Sequence, residues 1–309
     1  MSMQLHELVN TFGQDLRRRY GERVHKLTLH GGFSCPNRDG TIGRGGCTFC
    51  NVASFSDENV QVKSIHEQLQ DRAKEIKRAN KYLAYFQAYT STYAEVQLLK
   101  NMYQQALSGA DIVGLCVGTR PDCVSNDVFD LLAGYVIQGY EVWLELGLQS
   151  ANNATLKRIN RGHGFEEYAS IAEKARSLGI KVCTHLILGL PKESRIDNLA
   201  TLDSVLNVGT DGIKLHSLHI VDGSTLARAW SAGKVTTLSL EQYVSIASEM
   251  IQRTPADVVY HRLSSSARRP TLLAPLWCEN RWLPMTEIGR YLDRSGGQGS
   301  LIDDLFQSN

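Results

Sequence analysis

Short β-prone runs alternate with longer amphipathic stretches along most of the chain, and this rhythm narrows the fold more than any other feature. The pattern predicts strands at Val24–His30, Tyr82–Gln87, Ile112–Val117, Glu141–Leu148, Lys181–Leu188 and Gly212–Leu218, with a seventh near Val258–Leu263. It predicts helices between them at Ser64–Asn80, Ala94–Leu107, Asn126–Gln138, Phe165–Leu178, Arg195–Val208 and Leu240–Arg253. A βαβα succession implies a parallel sheet covered by helices. About six βα units without an obvious break favour an α/β fold built as a full or partial (β/α) barrel over two domains, with a doubly wound sheet as the alternative. A chain of 309 residues can bury a core of that size. Three segments are expected: an N-terminal helical extension over 1–23, a core over 24–255, and a C-terminal strand and helix extension over 256–309 that closes the core.

The strands depart from the pattern in one respect. Strands of a covered parallel sheet read almost wholly apolar. Here Glu145 alternates with Trp143, Gly147 and Gln149, His185 shares a face with Cys183, and Lys214 shares one with His216. Side chains two apart point to the same side of a strand. Position at a strand end, within reach of water, accounts for Gln149 but not for Glu145 or Lys214. A buried unpaired charge is costly, so such residues pair or serve chemistry. Several strands each aiming a polar group inward is the pattern of an active site in a barrel lumen. Glu145, Lys214 and His216 are therefore candidate catalytic residues.

The first strand is followed by Gly31-Gly-Phe-Ser-Cys-Pro-Asn-Arg-Asp-Gly-Thr-Ile-Gly-Arg-Gly-Gly-Cys-Thr-Phe-Cys50, with six glycines in twenty residues. Glycine lets a loop wrap closely around a bound group. The spacing C-x11-C-x2-C of Cys35, Cys47 and Cys50 asks for a metal. Three thiolates can hold three irons of a [4Fe–4S] cube and leave the fourth iron open. Zinc would also accept the C-x2-C pair, with Cys35 and His30 completing four ligands. Spacing alone suits both. Cys116, Cys123, Cys183 and Cys278 offer no second cluster spacing and are expected to pack, Cys123 being set apart by its place in a strand-end loop.

Net charge is +1, so nucleic acid affinity would need local patches. Arg17–Arg19, a helical face at Lys74, Lys77, Arg78 and Lys81, and Arg262 with Arg268 and Arg269 are candidates, each also readable as a solvated surface. No apolar run approaches the ~18 residues of a membrane span, and Met1–Asn10 has no signal pattern. A cytoplasmic protein that does not engage membranes is expected.

Several motifs together resemble those of the radical S-adenosylmethionine (SAM) superfamily, and within it the YhcC-type proteins related to the catalytic subunit of Elongator. They are Cys35-Pro-Asn-Arg-Asp-Gly, Gly45-Gly-Cys-Thr-Phe-Cys50, Gly118-Thr-Arg-Pro-Asp122, Glu145-Leu-Gly-Leu-Gln-Ser150 and Gly189-Leu-Pro-Lys-Glu193. The likeness runs from about Val24 to about Trp282. The first cysteine gap is eight residues longer than the superfamily's commonest C-x3-C-x2-C.

The resemblance implies a [4Fe–4S] cluster on Cys35, Cys47 and Cys50, with SAM at the open iron. Phe49 would lie near the adenine. The amine-binding stretch would fall at Ala88-Tyr-Thr90, although the usual Gly-Gly-Glu is missing. Gln149 and Arg161 match the pair that holds ribose and carboxylate in oxygen-independent coproporphyrinogen oxidase. His185 stands where that enzyme has an acidic ribose ligand, and would donate to a hydroxyl. Such an enzyme cleaves SAM reductively to methionine and a 5′-deoxyadenosyl radical, with electrons from a donor such as flavodoxin or ferredoxin. Relatives in the Elongator branch point to wobble uridine of tRNA as the substrate. Tyr260-His-Arg-Leu and Arg268-Arg-Pro-Thr would supply aromatic and basic groups for RNA at the barrel mouth. A small-molecule or protein substrate is the alternative, as is a non-catalytic zinc-stabilised RNA-binding module.

Overall fold

A computed structural model describes residues 3–51, 63–76, 78–87 and 89–302. The strands are β1 (Val24–Leu29), β2 (Lys81–Phe86), β3 (Ile112–Thr119), β4 (Glu141–Gln149), β5 (Lys181–Leu188), β6 (Gly212–Ser217), β7 (Ile220–Val221), β8 (Val259–Arg262) and β9 (Leu272–Ala274). The helices up to the middle of the chain are α1 (Leu5–Leu8), α2 (Phe12–Tyr20), α3 (Pro36–Asp39), α4 (Ile65–Glu75), α5 (Val96–Leu107) and α6 (Asn126–Ile137). Beyond them run α7 (Asn153–Arg158), α8 (Phe165–Ser177), α9 (Arg195–Val208), α10 (Thr225–Ser231), α11 (Leu240–Arg253) and α12 (Trp282–Ser295).

Seven strands form one parallel sheet in the order β1-β2-β3-β4-β5-β6-β8, curled into a half-barrel, while β7 and β9 pair antiparallel beside it. The period-2 alternation of each strand divides its side chains between two cores. Leu27, Ala84, Phe86, Leu115, Val117, Leu144, Leu186 and Leu215 face the helices and belong to the larger cluster with Leu99, Phe129 and Tyr168. Each large side chain buried there contributes roughly 1.5–3 kcal/mol. Leu83, Tyr85, Cys116, Trp143, Cys183 and Val259 face inward and form the smaller core, closed by Phe12 and Leu16 of α2. Cys116 and Cys183 are thus packing residues of the lumen floor.

The half-barrel is not closed by strand pairing, because β1 and β8 are the two edges of the sheet. Helix α2 occupies that seam. The Phe12 ring meets Trp143 edge-on at 5.4 Å and lies 3.8 Å from the His261 ring. The Tyr260 amide donates to Asn10 O at 2.8 Å, which ties the start of the helix to β8. At its other end, Arg19 pairs with Glu141, whose carboxylate also accepts from Tyr20 OH at 2.8 Å and Trp143 Nε1 at 2.6 Å.

Helix starts follow local capping chemistry. Ser64 with Glu67, Ser194 with Asp197, and Ser239 with Gln242 form capping boxes at α4, α9 and α11. The helix expected to reach Asn80 ends at Glu75, so the proposed basic face does not exist as a helical stripe; Lys81 opens β2 and pairs with Glu22, and Lys77 lies outside the described residues. No helix among the described residues is long and apolar enough to cross a membrane.

Candidate active site

The cysteine loop leaves β1 and is pinned to the segment that follows α7. Asn37, 1% exposed, donates to Asn160 O at 2.6 Å, Asn160 Nδ2 donates to Gly46 O at 2.8 Å, and the Thr48 amide donates to Ile159 O at 2.9 Å. Gly45 and Gly46 adopt φ of 82° and 77°, a left-handed turn that only glycine takes without strain. This bracing fixes Arg161 over the loop, with Nη1 3.4 Å from Cys47 Sγ. Asn37 Nδ2 lies 3.6 Å from the same sulfur, and Arg38 Nη1 lies 3.7 Å from Cys50 Sγ. Burial, and then the neighbouring Cys47, push the Cys50 thiol up to about 11, with Arg38 acting the other way. Three clustered thiols with guanidinium and amide N–H groups aimed at sulfur suit a thiolate-held cluster, whose negative charge those donors would offset.

The loop roofs a cavity of about 180 Å³ at the carboxyl ends of the strands. Its wall includes Cys35, Cys47, Cys50, Phe49 and Thr90. Gln149, Arg161, His185 and Glu145 complete the set of expected residues that line it. The Thr90 amide donates to Ser34 O at 3.2 Å, and Ala88 lies outside the described residues. Gln149 has φ of 81° at a register shift between β4 and β5, so the strand ends in a bulge that re-aims its amide. A Cβ added at Gly147 would stand 2.7 Å from Arg161 Nη2 and 2.9 Å from Gln149 Nε2, so this glycine keeps the space between them open. Arg161 is largely committed inside the protein: Nε and Nη2 donate to Gly147 O at 3.1 and 2.5 Å. Ser150 Oγ donates to Glu193 Oε1 at 2.5 Å, and this bond joins two of the sequence motifs as scaffold.

Below the cavity lies a polar hub. Glu145 is 0% exposed. Its Oε1 accepts from Lys26 Nζ at 2.5 Å and sits 3.3 Å from His261 Nδ1. Its Oε2 is bonded by Lys214 Nζ and lies 3.1 Å from His185 Nε2. Lys214 Nζ also donates to Tyr85 OH at 2.8 Å. Burial opposes ionisation of Glu145, yet Lys214 and Lys26, with hydrogen bonds from both histidines, hold the carboxyl well below its usual range. Burial pushes Lys214 down to about 8 against the pull of Glu145. Burial and then Lys214 push His185 down to about 4, so it is neutral near pH 7. Since a carboxylate only accepts, His185 Nε2 carries the proton and Nδ1 is an acceptor.

Lys214 and His216 do not line the cavity. Lys214 reaches it only through Glu145 and Tyr85, and the His216 ring lies 5.7 Å from that of His185. Lys26 and His261 were not among the expected site residues. Lys26 carries the same signal as Glu145, a charge inside a covered strand. Two members of the Tyr260-His-Arg-Leu run are not free to stack on RNA: Tyr260 is 2% exposed with its hydroxyl 2.8 Å from Thr254 Oγ1, and His261 is held between Phe12 and Trp143, which leaves Arg262 as the exposed member. Arg269 is paired with Glu279. Arg120 of the Gly118-Thr-Arg-Pro-Asp122 motif is 2% exposed, lines the cavity, and is held by Asp122 through two bonds at 2.9 and 2.6 Å.

The radical SAM superfamily profile matches residues 38–205, and the Radical_SAM C-terminal domain profile matches residues 210–294. The chain is similar to protein YhcC of Escherichia coli K12, with 65% identity over 300 residues that cover 97% of each chain. It is similar over 127 residues, 40% of this chain and 27% of the other, to a tRNA uridine(34) acetyltransferase of Dehalococcoides mccartyi, at 31% identity. Among solved structures it resembles the archaeal Elp3 of Methanocaldococcus infernus with a TM-score of 0.67 and 17% identity, covering 89% of this chain and 64% of that longer one. That likeness is one of fold.

Proposed function

Because the chain belongs to the radical SAM superfamily and within it to the YhcC-type proteins, we propose that it is an enzyme that cleaves SAM reductively and modifies a wobble uridine of tRNA. The cofactors of this superfamily, a [4Fe–4S] cluster and SAM, favour iron–sulfur over zinc where the cysteine spacing suits both. The observation that carries the reading is convergence. Residues from the loop after β1, the segment after β2, strands β4 and β5, and the segment after α7 all line one cavity.

Each residue is assigned a task. Cys35, Cys47 and Cys50 hold the cluster, while Arg161, Asn37 and Arg38 donate toward its thiolates. A cluster and SAM held there would supply reductive cleavage of SAM and, from it, a radical able to take a hydrogen atom from the substrate. Phe49 provides an apolar face for the adenine, and the re-aimed Gln149 amide hydrogen-bonds the SAM ribose or carboxylate. His185 takes the place of an acidic ribose ligand as an acceptor through Nδ1, the reverse of the donor role expected from sequence, because Glu145 consumes its N–H. Glu145 is thereby a positioning residue with Lys26 and Lys214 behind it. Reducing equivalents come from a flavodoxin or ferredoxin.

The tRNA assignment rests on the uridine(34) relative. Its test is the nucleoside profile of bulk tRNA from deletion cells complemented with the wild-type chain or with Cys50→Ala. One under-modified uridine should accumulate in the deletion and persist with Cys50→Ala. Identical profiles in all strains would return the substrate to the small-molecule or protein class.

A further inference from the structure

The lumen wall on the β6 and β8 side has an excess of positive charge. Lys26 and Lys214 share the single carboxylate of Glu145. Arg262 on β8 is the register partner of Lys214 on β6, is exposed, and has no acidic partner within 4.0 Å among the described residues. Register partners on adjacent parallel strands face the same side of the sheet, and Lys214 faces the lumen, where it bonds Glu145 and Tyr85, so Arg262 is placed on the lumen side. Arg262 and Lys26 also line a cavity of about 300 Å³ at the seam between β1 and β8, whose wall includes no acidic residue. The Nε2 atom of His216 is buried without a hydrogen-bond partner.

Cations in excess of the one carboxylate they share favour an anion beside them, at Arg262 where the wall opens to the seam cavity, and a buried unpartnered imidazole nitrogen on the same strand as Lys214 favours a ligand that completes its hydrogen bonding. The groups assigned to SAM line the other cavity, with His185 of β5 the one nearest this wall and Glu145 bonded both to it and to Lys214.

We propose that the β6 and β8 wall binds an anionic group of the substrate, a carboxylate or a phosphate ester, through Arg262 and Lys214, with His216 Nε2 as a hydrogen-bonding partner. This rests on the radical SAM reading and adds the substrate's charge class to it. An anchored anion would hold the substrate across the lumen from the SAM cavity, so that a neighbouring carbon faces the radical source.

The test uses the anaerobically reconstituted full chain, Arg262→Gln, and the charge-conserving Arg262→Lys. Equilibrium dialysis at low ionic strength, with SAM saturating, reads binding of radiolabelled inorganic phosphate and of radiolabelled acetate. The wild type and Arg262→Lys should bind at least one anion, and Arg262→Gln should bind it about tenfold more weakly or worse. SAM affinity should stay within about twofold in all three, since Arg262 lines the seam cavity and not the one assigned to SAM. Preference for phosphate assigns the phosphate ester, preference for acetate assigns the carboxylate, and equal binding supports a site that reads charge. Absence of Arg262-dependent binding of either anion overturns the proposal, as does a tenfold loss of SAM affinity in Arg262→Gln, which would give the cation to SAM. Failure of the wild type to take up iron or to cleave SAM, measured beforehand, would instead strike the radical SAM reading.

Discussion

Replacing Glu145 with Gln removes one negative charge from a position that is 0% exposed and bonded by Lys26 and Lys214. An amide can still accept one lysine hydrogen bond but no longer offsets either charge. Breaking a buried ion pair by removing one partner costs about 3–5 kcal/mol. The Lys26 side chain retains 18% exposure, and water there softens the penalty, so the low end applies. About 3 kcal/mol corresponds to a fall in Tm of roughly 4–5 °C in a chain of 309 residues. Adding Lys214→Met to Glu145→Gln removes one stranded cation, and the double variant should recover about 1–2 kcal/mol relative to the single one, a coupling expected of residues in contact. Anaerobic thermal unfolding of the reconstituted variants gives both numbers. If Glu145→Gln melts within about 2 °C of the wild type, or the two substitutions add without coupling, the hub is not a set of ion pairs. In folded Glu145→Gln, production of 5′-deoxyadenosine without substrate should persist, because the residue acts through His185.

Gln149→Ala should weaken SAM affinity by roughly 1–3 kcal/mol with iron content unchanged, read by equilibrium dialysis with SAM and by iron analysis. Arg161→Ala should lower both, because its guanidinium lies 3.4 Å from Cys47 Sγ as well as lining the cavity. Acid stability should depend on Glu141: burial works against its ionisation, but Arg19, Lys181 and Trp143 hold its carboxyl down at about 2. The folded value lies below the unfolded one, so the unfolded chain takes up the proton first as pH falls. The stabilisation is complete above the unfolded value of about 4.5 and is lost as pH drops towards 2, a change of up to about 3 kcal/mol. Urea unfolding between those pH values should show this slope flattened in Glu141→Gln.

The strand positions were legible because period-2 apolar runs between amphipathic stretches leave little choice; Lys181–Leu188 and Glu141 as a strand start match the observed elements. Closure was not legible, since whether the first and last strands meet depends on what fills the seam, here Phe12 and Leu16 from a short helix. The β7 and β9 pair was missed because two- and three-residue strands carry no periodicity. In the site, the cysteines and Glu145 stood out as groups a covered strand or loop does not otherwise need. Lys26 gave the same signal and was passed over, because it falls early in β1 among His25 and Thr28 and reads as an exposed edge. His261 looked available for RNA because sequence cannot show that the seam helix stacks on it.

Anaerobic reconstitution of the full chain with iron and sulfide, followed by reduction in the presence of SAM, tests the cluster and SAM cleavage at once. The wild type should hold about four irons and four sulfides and release 5′-deoxyadenosine. Cys35→Ala, Cys47→Ala and Cys50→Ala should each lose both properties, while Cys116→Ala and Cys183→Ala, in the lumen floor, should keep their iron. Stoichiometric zinc with no iron uptake, or an intact cluster that survives Cys50→Ala, would contradict the account.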